Sequence, residues 1–281
     1  MIRKIEILMA IFLLVSSGAA VAGDEERLVK EFGFKAGKTA EVILEVDAGE
    51  VRIEKGEGPD VLSLRMEYEK DEFEYDIDYD ESRNRISISL DKKGWFSSVD
   101  THALIELSLP FEVELILNTR VKAGEVDMEL GDLSIREFTM NNLAGEVEVS
   151  FDRPNRSRMD YLKVHTRVGE TELLKLGNSR FREAEINSEI GELYLDFRGE
   201  PLRGARAEVD LEIGETTVEL PDNSGIKIDI SGGAGFLREN NIDRAFYRKG
   251  GCYFNDRFEN EDEGFVIRLS HGIGELTLNQ R

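Results

Sequence analysis

The sequence predicts an all-β chain wound as a single-domain parallel β-solenoid, and three observations predict it. The first is alternation: Val209, Leu211 and Ile213 share one parity, the period-2 pattern of a strand with one buried face. The second is a recurring interruption, in which an aliphatic residue is followed by Gly-Glu, as in Val168-Gly169-Glu170, Ile190-Gly191-Glu192 and Ile213-Gly214-Glu215. The third is spacing. Gly124, Gly145, Gly169, Gly191, Gly214 and Gly235 follow one another at 21, 24, 22, 23 and 21 residues, with Gly274 after a longer gap. Such a period marks stacked repeats.

Past Gly214 the apolar parity flips to Thr216, Val218 and Leu220. A flat strand cannot change parity, so a bulge or corner is expected between an inward Ile213 and an inward Thr216. The same slip is expected at Gly49, between Ala48 and Val51, and at Gly274, between Ile273 and Leu276. A rung of about 22 residues with a Gly-Glu corner is roughly 70 Å of extended chain, one circuit of short strands and turns. Stacked in register, each rung covers its neighbour's apolar face, and no rung is stable alone.

Taken in order, residues 1–22 differ from the rest. Arg3 and Lys4 precede an unbroken apolar run from Ile7 to Val15, and Ala20-Val21-Ala22 forms a small-x-small site. A secretory signal peptide cleaved after Ala22 is expected, the apolar run being too short to span a bilayer. Residues 23–281 then form the single solenoid domain. Residues 23–118 are its less regular part, with a first corner unit in EVILEVDAGEVRIE and an acid-faced strand around Glu74, Asp76 and Asp78. Trp95 and Phe96 sit in a Gly/Ser loop, either as a partner contact or as a plug over the open end of the coil. Regular rungs are expected over 119–237, a long loop over 238–264 and a last rung over 265–281.

The runs GEVDMELGDLSIREF, LKLGNSRFREAEINSEIGELYLDFRGE and GARAEVDLEIGETTVELPDNSGIKID resemble the toastrack family of extracytoplasmic β proteins, most closely between residues 115 and 230. The resemblance implies a coiled β fold and an envelope role as an adhesin-like or cell-wall-antibiotic-response component. It brings no catalytic motif.

The chain carries a formal net charge of -22, which becomes -23 once the leader with Arg3, Lys4 and Glu6 is removed. That balance argues against nucleic acid or anionic lipid as a direct partner and favours another envelope protein or a cationic peptide. Cys252 has no second cysteine, so it is expected to be buried or dimer-bridging. His102, His165 and His271 are too scattered for a metal site, and no cofactor is expected. His271 falls in one interior column with Asn142, Thr166 and Ser188, for which a side-chain hydrogen-bond ladder is expected. Glu125, Glu146, Glu170, Glu192 and Glu215 would stand as a column of carboxylates needing a counterpart: bulk counterions, a cationic ligand, or cations such as Lys122, Arg167 or Arg206. Paired acids could instead serve a polysaccharide-binding or polysaccharide-cleaving β-helix enzyme. Without long loops to wall a cleft, the non-enzymatic module is the expectation.

Overall fold

A computed structural model describes residues 25–94, 102–231, 238–260 and 263–281. Within them lie seventeen strands. The first seven are β1 (Glu25–Gly33), β2 (Ala40–Ala48), β3 (Glu50–Lys55), β4 (Val61–Glu69), β5 (Phe73–Asp80), β6 (Arg85–Lys92) and β7 (Ala103–Leu109). Five long strands follow: β8 (Leu115–Glu129), β9 (Ile135–Ser150), β10 (Met159–Leu174), β11 (Phe181–Asp196) and β12 (Arg206–Leu220). The last are β13 (Ile226–Ser231), β14 (Arg238–Ile242), β15 (Tyr247–Lys249), β16 (Cys252–Phe254) and β17 (Phe265–Gln280). Together they form one mostly parallel, unclosed sheet.

The long strands pair in parallel, β8 on β9, β9 on β10, β10 on β11, β11 on β12 and β12 on β17. Each is bent at a glycine. Gly124, Gly145, Gly169, Gly191, Gly214 and Gly274 are register partners in succession. Their φ angles lie between 128° and 141°, a region that L side chains rarely adopt. A Cβ on any of them would also fall inside the carbonyl oxygen of the glycine on the preceding rung, and for Gly124 that neighbour is Gly49.

The bend divides the sheet into two walls, one from the half-strands before the glycine and one from those after it. In β10, Leu162, Val164 and Thr166 point inward on the first wall, and Thr171 and Leu173 on the second. The four residues between, Arg167 to Glu170, lie on the convex side. This corrects the expected parity: Val168, Ile190, Ile213 and Ile273 are about half exposed rather than inward. At the bend the chain turns outward one step earlier than alternation implies, so the last inward residue stands three before the glycine.

Aromatic rings gather at the strand ends, Phe181 opening β11, Phe265 opening β17 and Phe197 just after β11. Phe181, Phe197 and Phe265 meet there with ring centroids 5.2 to 6.2 Å apart. Buried asparagines tie the loops together. Asn155 binds the backbone N–H and C=O of Ile135 on the rung before, and its amide also donates to Ser179 on the rung after. Asn178 donates to the Phe151 carbonyl and accepts from the Glu200 N–H. Asn255 binds Ile226 and Ser224 in the same manner.

The ends of the stack depart from a simple coil. At the amino-terminal end β2 and β3 pair with β8, while β6 adds to β2 and β7 to β3. Beyond these, β5 on β6, β4 on β7 and β1 on β4 run antiparallel, so the coil ends in two antiparallel edges. At the other end the expected order of rungs is overturned. Strand β17 lies directly against β12, with β13 and β14 on its far side. The sixteen-residue β17 offers β12 a partner from Arg206 to Leu220, whereas β13 has only six residues. The segment expected to be a loop over 238–264 contains β14, β15 and β16, of which β16 pairs antiparallel with both β13 and β15. Cys252 opens β16, partly buried. Among the described residues no helix is long and apolar enough to cross a membrane.

Replacing Gly191 by Ala is expected to cost roughly 3 kcal/mol or more, about 10 °C in Tm, because the new Cβ meets backbone at a left-handed φ. Gly33→Ala, with open space around the added carbon, should stay within about 0.5 kcal/mol. Equal losses for the two variants in thermal melts would contradict the bend.

Candidate functional site

The outer faces of the two walls differ in charge. On the first wall both signs occur, and they pair across rungs. Lys122 bridges to Asp47, Lys163 to Glu185 at 2.7 Å, Arg167 to Glu189 at 3.1 Å and Arg85 to Glu41 at 3.2 Å. Two cations proposed as counterparts for the acid column, Lys122 and Arg167, are therefore engaged elsewhere. Arg206 lines a depression on the first wall.

On the second wall the outward positions of β8, β9 and β10 that follow the glycine carry one sign. Glu125, Asp127 and Glu129 lie on β8, Glu146 and Glu148 on β9, and Glu170 and Glu172 on β10. Glu192, Glu215 and Glu275 continue the row on β11, β12 and β17. Register places Glu125, Glu146, Glu170, Glu192, Glu215 and Glu275 side by side, one per rung. Strands spaced at about 4.8 Å bring these carboxylates close enough to repel one another. None of the nine acids from Glu125 to Glu215 has an ion-pair partner among the described residues, and Glu275 accepts from the Asn241 amide at 2.6 Å. Arg52, the register neighbour of Asp127, is turned to Glu50 and Glu106 instead.

The crowding has a protonation consequence. Burial, with the Asp127 and Glu172 carboxylates beside it, pushes the Glu148 carboxyl up from its ordinary value. Six acids, Glu125, Asp127, Glu146, Glu148, Glu170 and Glu172, line one small depression of about 140 Å³ there. Among the described residues no three His, Cys, Asp or Glu side chains are grouped so as to hold a metal ion.

A larger depression of about 340 Å³ lies on the first wall, lined by Tyr161, Glu185, Arg206, Glu208 and Arg268 among others. Its best-placed carboxylate is already occupied. Lys163 and the Tyr161 hydroxyl both donate to Glu185 and draw its carboxyl down, while burial raises the Tyr161 hydroxyl to about 12. An acid so held is a poor proton donor near neutral pH.

Inside the bend the register does align Asn142, Thr166, Ser188, Leu211 and His271. The expected ladder between rungs does not form. Thr166 instead accepts from Thr171 of its own rung at 2.9 Å, across the elbow, and the Asn142 amide and both His271 ring nitrogens find no protein partner. Side chains on neighbouring rungs stand a full strand spacing apart, too far for short hydroxyls, whereas the bend folds positions 166 and 171 together.

Gly49 joins the glycine row through its N–H, which donates to the Ala123 carbonyl at 3.1 Å. Gly235, Trp95 and Phe96 lie outside the described residues, as do residues 1–22. The exposed aliphatics beside the acid row escaped the sequence reading, since parity alone places them inside. The signal that finds them is the change of residue at one corner position, Ala at 48, 123 and 144 but Val or Ile at 168, 190, 213 and 273.

Residues 20–174 match the family model described as the N-terminal domain of toast_rack, DUF2154. No curated protein matches the sequence. Among solved structures the chain is similar to a candidate cell adhesion protein from Clostridium sporogenes, with 15% identity, TM-score 0.47, and 92% of this chain and 100% of that one covered. It is also similar to a candidate adhesin from Bacteroides fragilis, with 9% identity, TM-score 0.37 and coverage of 90% and 97%. A third, a candidate lipid-binding protein from Parabacteroides distasonis, has 10% identity, TM-score 0.36 and coverage of 91% and 98%.

Because the Glu148 pKa is raised on folding, its charge disfavours the folded state at neutral pH, and the penalty is relieved as pH falls through the raised value. Glu148→Gln should therefore raise Tm by about 1 to 2 °C at pH 7, allowing for solvent screening. The gain should shrink toward about pH 4. A lower Tm at pH 7, or a gain independent of pH, would contradict the crowding.

Proposed function

The chain belongs to the toast_rack family, and on that footing we propose that it is an exported, non-enzymatic binding module of the cell envelope. In this reading the solenoid repeat is the turn of about 22 residues bent at Gly-Glu, with Gly235 sharing the role of the glycines described above. The leader is removed after Ala22, and the mature module works as an adhesin or as an envelope-stress component.

The observation that carries the reading is the second wall, whose carboxylates are held in rigid register and left unneutralised by the chain itself. A surface held so costs stability, and a partner bearing positive charge removes that cost. Another envelope protein or a cationic peptide fits, whereas nucleic acid and anionic lipid are repelled by a chain of charge -22. Turnover of polysaccharide has less support, because Glu185, the best-placed acid of the larger depression, is held ionised by Lys163 and Tyr161.

Two measurements test this. Intact mass of the exported chain should begin at Gly23. Fluorescently labelled mature chain should bind washed cell-envelope fragments saturably and be displaced by unlabelled chain. Raising salt from about 50 to 500 mM should weaken binding by about tenfold or more. A chain that keeps its leader, shows no saturable binding, or releases reducing sugar ends from the fragments would overturn the proposal.

A further inference from the structure

Six large aliphatic side chains are exposed among the described residues, and four of them, Val168, Ile190, Ile213 and Ile273, occupy one register column. They are 45 to 50% exposed. A fifth, Leu143, stands one residue before Ala144, the register partner of Val168. Scattered apolar residues on a surface need no explanation, but a contiguous row does. The bend itself does not require them. Ala48, Ala123 and Ala144 hold the same corner position on β2, β8 and β9, so a methyl group is enough for the geometry. The larger side chains are an addition confined to the last four long strands, forming a strip of about 14 Å at about 4.8 Å per strand.

We infer that this strip, with the carboxylates two residues beyond it, docks a cationic amphipathic helix. The inference rests on the reading of the chain as a binding module and names the surface it uses. Along one flank run Glu170, Glu192, Glu215 and Glu275, in the same register as the aliphatics. On the other flank Glu189 is engaged by Arg167 and His165, and Glu212 has no ion-pair partner among the described residues. Charge complementarity thus selects an occupant with an apolar face bordered by Lys or Arg.

The backbone at Val168, Ile190 and Ile213 is already paired with the rungs on both sides. An added β-strand would find no free edge at these three residues, so contact with them is through side chains. A helix offers apolar side chains at each turn of 5.4 Å, near the rung spacing, and about ten residues cover the strip. A second copy of this chain would bring its own acid row against this one, and an anionic membrane would be repelled outright.

The test uses the mature chain and an 18-residue Leu/Lys peptide, about 27 Å long as a helix, with apolar and cationic faces segregated. Controls are a scrambled peptide of the same composition and an oligolysine of the same charge. By fluorescence anisotropy at about 50 mM salt, the segregated peptide should bind about tenfold or more tightly than either control. Ile190→Thr with Ile213→Thr should lose about tenfold, as should Glu192→Gln with Glu215→Gln, and the Gln variant should also lose salt dependence. Should either variant fail to fold by circular dichroism, methyl NMR of the unaltered chain decides, with shifts expected at Ile190, Ile213 and Ile273 on adding peptide. Equal binding of the controls, unchanged affinity in the Thr variant, or silent methyls would overturn the site. A chain that still binds envelope fragments saturably but fails here loses only this surface. One that fails both loses the binding-module reading as well.

Discussion

The structure depends on a steric contact repeated rung after rung: the carbonyl of one corner glycine lies where the next glycine would carry its side chain. Six successive long strands meet at this row, with Gly49 at one end and Gly274 at the other. Because the backbones approach so closely, the strands cannot slip by a residue without driving a Cβ into a carbonyl. The row therefore fixes register as well as bend, and register is what places like residues side by side. The apolar column inside, the aliphatic strip at the elbow and the acid row beyond it are three results of that one alignment.

The two walls carry different electrostatic solutions on one backbone. Across the first, Lys163–Glu185 and Arg167–Glu189 pair neighbouring rungs, as expected of a solvated sheet that limits its own repulsion. Across the second, Asp127, Glu148 and Glu172 are register neighbours with no cation between them, and the raised Glu148 pKa reports the consequence. From β8 to β10 its outward charges are all acidic, and exposed isoleucines border the same row on β11, β12 and β17.

Much of the architecture was legible in the sequence because alternation is a direct print of a half-buried strand. The all-β class follows from it, the mostly parallel sheet follows from the spacing of Gly124, Gly145, Gly169, Gly191 and Gly214, and the family rests on the resemblance of the runs around those glycines. Other features were hidden for physical reasons. Ile213 shares the parity of Leu211, so period-2 reasoning puts both inside, and only the three-dimensional turn at Gly214 shows Ile213 on the convex side. The insertion of β17 between β12 and β13 is a choice between two possible neighbours, and local sequence does not rank them. Antiparallel pairing of β1, β4 and β5 at the amino-terminal end reflects the need to cover a stack end, a demand set by the whole assembly. Asn155 and Asn178 read as ordinary turn residues, yet each bonds backbone on adjoining rungs.

The central claim is that the glycine row runs unbroken from Gly214 to Gly274, passing over the 59 residues between them in sequence. Selective glycine labelling and nuclear Overhauser spectroscopy measure this directly. Adjacent parallel strands at about 4.8 Å predict cross-peaks between the Gly214 Hα and the backbone protons around Gly274. If Gly214 instead shows cross-peaks to Gly235, with Gly274 one strand farther away at about 10 Å, the row follows chain order and the account is wrong.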